Sequence, residues 1–85
     1  MPEVYIIYGY KIYFFANDHE PVHVHIKGNG GTARFELQGD KFELTESDNI
    51  KLGDLRRLSK SVNENKTIIV RRWNEFFKKD DDGNE

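Results

Sequence analysis

Three histidines, two glutamates and one arginine are the residues of this sequence whose types and spacing could do chemistry. His19, His23 and His25 are all the histidines present, and they fall within seven residues in the run Asp18-His19-Glu20-Pro21-Val22-His23-Val24-His25. Val22, Val24 and Ile26 alternate with His23, His25 and Lys27, the pattern of a half-buried strand, so His23 and His25 project from one face. Pairing Lys27 with Thr32 across Gly28-Asn29-Gly30-Gly31 then sets Glu36 opposite His23 and Arg34 opposite His25. Pro21 stiffens the preceding loop and biases Glu20 toward extended backbone.

Three chemistries fit such a cluster. His23 and His25 with His19 or Glu20 form a three-ligand set that leaves an open position on a divalent metal, Zn or Fe. Alternatively, His23 held in one tautomer by Glu36, with His25 beside it and Arg34 to neutralise phosphate, suits general acid–base catalysis on a phosphodiester. The third is binding alone, with Tyr13, His23, His25 and Arg34 as a contact surface for phosphate or for a partner's carboxylates. Against all three stands a plain reading: strand residues facing solvent whose imidazoles make local hydrogen bonds, with His19 bracing a turn.

The elements that must position these residues are legible from pattern. Val4–Tyr8 and Lys11–Phe15 are β-branched and aromatic, joined by a turn at Gly9-Tyr10 that sets Ile7 against Ile12 and Tyr5 against Phe14. Tyr13 and Ile6 then fall on the face away from the core, an aromatic patch that invites a protein partner or a homodimer. Thr32–Leu37 and Lys41–Thr45 alternate again, with Ala33, Phe35, Leu37, Phe42 and Leu44 inward; a one-residue slip would break this single apolar face. From Ser47 or Asp48, either a helix cap, the period changes. Leu52, Leu55, Leu58 and Val62 form one helical stripe; Asn63-Glu64-Asn65 interrupts it; Ile69, Trp73, Phe76 and Phe77 form a second. The strand propensity of Thr67–Val70 argues against that second helix, its spacing for it. The expected fold is α+β: a five-stranded antiparallel meander sheet with two C-terminal helices packed on the face of Val24, Ile26, Phe35 and Leu44. His23 and His25 then lie on the opposite face.

An 85-residue chain is one domain with a modest core, and six Phe, four Tyr and one Trp supply its apolar area. With no cysteine it has neither disulfides nor thiolate metal sites. No signal-like segment and no membrane-length apolar run is present, so the expected location is the cytoplasm. The chain holds 13 basic and 15 acidic residues; Asp80, Asp81, Asp82 and Glu85 account for four of the acids, leaving residues 1–79 with 13 bases against 11 acids. The expected organisation is therefore a mildly basic domain over residues 1–79 and an acidic disordered tail over 80–85. Arg56, Arg57, Lys60, Arg71 and Arg72 make nucleic acid a further partner class, although classical binders are more basic.

The Gly9-Tyr10 hairpin with its aromatic strand Ile12–Phe15, the run Asn17-Asp18-His19-Glu20-Pro21-Val22-His23-Val24-His25, and the ending Trp73-Asn74-Glu75-Phe76-Phe77 together cover most of the chain. In these features it resembles the small bacterial proteins grouped as DUF4160, in which Gly28–Gly31 looks like a variable loop. The resemblance carries no assigned activity. It implies a gene arrangement similar to toxin–antitoxin pairs, beside a second small family, DUF2442. The expected function is thus a small cytoplasmic interaction module, one member of such a pair, using the exposed Tyr13, His23, His25 and Arg34 face. The alternative is a small metal-dependent or acid–base hydrolase or nuclease built on the histidine cluster.

Overall fold

The computed structural model describes residues 3–15 and 21–82, with side chains through Phe77. Five strands, β1 (Glu3–Ile7), β2 (Tyr10–Tyr13), β3 (His23–Gly28), β4 (Gly31–Gln38) and β5 (Lys41–Asp48), precede two helices, α1 (Leu52–Glu64) and α2 (Lys66–Asp82). The strands form one sheet in chain order with every neighbour antiparallel, the expected meander. Ile12, Val24, Ile26, Phe35 and Phe42 make one core with Leu58 and Val62 of α1 and Ile69 and Trp73 of α2. An apolar sheet face and two amphipathic helices are thereby buried against each other. The second helix forms despite Thr67–Val70, because helical spacing gathers Ile69, Val70, Trp73 and Phe77 on the side facing the core, whereas a strand would send Val70 to the opposite face. No helix among the described residues is long and apolar enough to cross a membrane.

The first turn differs by one residue from the expected one. It is Tyr8-Gly9, with φ of 56° and 80°, so Ile7 pairs with Tyr10 and Tyr5 with Ile12. A two-residue turn of this kind needs positive φ at both centres and favours Gly at the second. Tyr10 is thereby released into β2, where its ring is buried and its hydroxyl donates to Asp54 Oδ2 at 2.8 Å. The expected registers of β3 with β4 and of Gln38 with Lys41 are the observed ones.

Gly28–Gly31 is tighter than a variable loop. Gly28 and Gly31 pair with each other inside the ladder, and only Asn29-Gly30 turn. A Cβ on Gly28 would stand 2.3 Å from Gly9 O, and one on Gly31 would stand 2.3 Å from Asn49 O.

β5 runs on through Ser47 and Asp48, which pair with Ala33 and Thr32, so neither caps a helix. α1 starts at Leu52 with Lys51 at its N-cap and no side-chain capping bond. The register shifts between Arg34 and Phe35, leaving Thr45 as the extra residue, whose hydroxyl donates to Arg34 O at 3.2 Å. Leu44, expected inward, pairs with Phe35 on the edge strand yet stays 43 % exposed. Asn63 ties α1 to that edge: its Oδ1 accepts from Phe42 N at 2.8 Å and its Nδ2 donates to Phe42 O at 3.1 Å. Asn65 separates the helices by a single residue, and Asn63 and Asn65 each donate to a carbonyl one turn back.

Candidate functional site

The face away from the helices carries Lys11 and Tyr13 from β2, His23, His25 and Lys27 from β3, Thr32, Arg34 and Glu36 from β4, and Glu43, Glu46 and Asp48 from β5, as the paired registers require. His25 sits opposite Arg34 and His23 opposite Glu36, as expected, and on its other side His25 pairs with Tyr13. Their surroundings are less exposed than the pattern suggests.

Tyr13 is only 7 % exposed. Its ring stacks on His25 at 5.5 Å between centroids, and Phe15 stands edge-on to both, 5.3 Å from Tyr13 and 4.5 Å from His25. Of the expected aromatic patch, Ile6 is open but Tyr13 is covered, and Phe15, at 41 % exposed, takes its place. The spacing of Tyr13 and Phe15, two apart at the end of one strand, was the signal for Phe15.

His23 departs further from a solvent-facing residue. It is 7 % exposed, and its ring lies 5.4 Å from Trp73 of α2 and 5.0 Å from His25. The last β2–β3 pair is Tyr13 with His25, so His23 lies beyond the end of β2. There Trp73 reaches the strand end, touching Phe14 at 5.2 Å as well as His23. The Nδ1 of His23 is 2.9 Å from Pro21 O, which fixes the ring against its own loop.

Glu36 does not orient His23. Its Oε2 lies 3.3 Å from Arg34 Nη2, and its Oε1 accepts from Gln38 Nε2 at 3.4 Å. Arg34 is therefore held by Glu36, while its Nε is buried with no hydrogen-bond partner among the described residues. Beside it, Tyr13, His25, Thr32, Arg34, Glu46 and Asp48 line a cavity of about 210 Å³. His19 and Glu20, the remaining members of the expected metal set, lie outside the described residues, and among the described ones no group of three His, Cys, Asp or Glu could hold a metal.

Residues 9–74 match the family described as Domain of unknown function (DUF4160). The chain belongs to the DUF4160 family. No curated protein and no solved structure matches it. The DUF4160 match runs from the Gly9 turn to Asn74, one residue past Trp73, and so spans the histidine strand together with the helix residue packed on it.

Proposed function

We propose that this DUF4160 chain is a small cytoplasmic interaction module, one member of a toxin–antitoxin-like pair, that binds a small DUF2442-like protein through the sheet face opposite its helices. The observation that supports this reading is the exposed Phe15 ring set edge-on against half-buried His25, next to the cavity at Arg34. Aromatic and Arg side chains anchored at a concave spot are the residue types that dominate protein interfaces. Tyr13 and His23 serve as buried supports for this surface, while Phe15, His25 and Arg34 make the contact. The test is calorimetry of the purified pair. Phe15→Ala and His25→Ala should each weaken binding about tenfold or more without loss of fold; undiminished affinity in both would sink the reading.

The second reading, a small hydrolase or nuclease, rests on one observation: the His23 and His25 rings are neighbours, 5.0 Å apart. A divalent metal there, Zn or Fe, needs a third ligand from His19 or Glu20. Elemental analysis of native protein, with a thermal melt under chelator, decides it. Stoichiometric metal and a lower Tm on chelation would favour the metal-dependent hydrolase, and metal-free protein with an unchanged Tm would remove that form and leave only the acid–base one, which an assay of phosphodiester cleavage by the wild type and His25→Ala decides.

A further inference from the structure

We infer that the outward side of the helix layer binds the phosphodiester backbone of a nucleic acid without reading its sequence. This surface is separate from the sheet face proposed for the protein partner, so its test is independent of that one. Charge is divided unevenly between the two layers: residues 51–77 hold seven bases against three acids, and residues 21–48 hold three bases against five acids. The bases also differ in how they are engaged. On the strands, Lys11, Arg34 and Lys41 lie beside the carboxylates of Glu3, Glu36 and Glu43, at 3.6, 3.3 and 3.8 Å respectively. On α1, Arg57 is held by Asp54 at 3.1 Å and stands over the Tyr8 ring at 4.4 Å. Arg56, Lys60, Arg71 and Arg72 are exposed and make no ion pair or hydrogen bond among the described residues.

The helical period puts these four on the outside. Arg56 and Lys60 are one turn apart on the side of α1 away from buried Leu58 and Val62, and Arg71 and Arg72 fall between Ile69 and Trp73, the buried residues of α2. Both helices cover the same face of the sheet, so their outward sides form one surface. Three of the four are arginines, whose planar forks match phosphate oxygens. An acidic protein would meet the same charges, but a protein interface is anchored by aromatic side chains as well. Among the described residues no aromatic ring is exposed on either helix: Trp73 is buried, and Phe76 and Phe77 are half-buried. A phosphate backbone needs only placed positive charge, and sequence-independent binding is almost wholly of this kind.

The experiment is a titration of the full chain into fluorescein-labelled duplex DNA and single-stranded RNA of mixed sequence, followed by anisotropy. Affinity for the duplex should fall on the order of 100-fold between roughly 50 and 200 mM salt, as neutralising about four phosphates requires. The Arg56→Gln/Lys60→Gln and Arg71→Gln/Arg72→Gln variants should each weaken binding uniformly across sequences and lower the salt slope by about two. All four positions are exposed, so both variants should keep a Tm within about 2 °C of the wild type. Lys11→Gln/Lys27→Gln, on the sheet face, should leave the slope unchanged. No binding to either polymer at the lower salt, a slope undiminished in both helix variants, or tighter binding of polyglutamate than of either nucleic acid would each overturn the inference.

Discussion

Replacing His23 separates a structural from a chemical role for the histidine motif. The ring is 7 % exposed, lies against Trp73 at 5.4 Å and is fixed by Pro21 O at 2.9 Å from its Nδ1. His23→Ala deletes a buried ring at the margin of the core, a loss of about 2 kcal/mol, and one hydrogen bond, about 1 kcal/mol. The carbonyl belongs to exposed Pro21 and can turn to water, so the total should fall near 2–3 kcal/mol rather than above it. For a domain of this size that lowers Tm by roughly 10–20 °C. Trp73 is the sole tryptophan and touches the mutated ring, so urea unfolding followed by its fluorescence reads the effect directly. His23→Asn keeps a donor near the Nδ1 position and should recover about 1 kcal/mol of the loss. His25→Ala, at a half-buried position, should cost under about 1 kcal/mol. A His23→Ala cost below about 0.5 kcal/mol, or one equal to that of His25→Ala, would refute the packing role assigned to His23.

Asn63→Ala removes three hydrogen bonds, two of them to Phe42, and should cost about 2 kcal/mol in urea unfolding after a small gain in helix propensity; it should also speed hydrogen exchange at the Phe42 amide. Gly28→Ala would drive a Cβ against Gly9 O and Tyr10 Cα, so a Tm change of under about 2 °C would contradict the tight meeting of the two hairpins. The Tyr10 hydroxyl and then Arg57 hold Asp54 below its ordinary carboxylate value of 3.8. Its contribution is present above that value and lost as pH falls, so Asp54→Asn should flatten the acid limb of the stability curve below about pH 4. Burial raises the Tyr5 phenol above 10.0 despite its hydrogen bond to Ser61, so stability should fall as pH climbs past that value, and Tyr5→Phe should remove the decline.

Much of the sheet was legible because period two is unforgiving. The alternation of Val22, Val24 and Ile26 with His23 and His25, and of Ala33, Phe35 and Leu37 with Arg34 and Glu36, excludes a one-residue slip, and the short Gly28–Gly31 connection then selects the register that is observed. Helical spacing likewise revealed α1 and α2, and the run Asn63-Glu64-Asn65 marked the break, which the structure confines to Asn65. The first turn was misplaced because Tyr8 adopts a positive φ that its side chain does not advertise. The end of β5 was hidden because Ser47 and Asp48 look like helix caps until Ala33 and Thr32 claim them.

At the site the division falls between direction and surroundings. Local stereochemistry sends alternate side chains to opposite faces, so the sequence by itself determined that His25 neighbours Arg34 and that His23 stands opposite Glu36, while the pairing of Tyr13 with His25 came from the structure. Exposure and partner choice depend on where each strand stops and on what arrives from distant parts of the chain. Only the tertiary structure decided that β2 ends short of His23, that Trp73, fifty residues further on, closes over that ring, and that Glu36 pairs with Arg34 instead of His23. It likewise put Glu46 and Asp48 of β5 in the wall of the same cavity as His25, because pairing across β4 brings them there and no alternation within β3 foretells it.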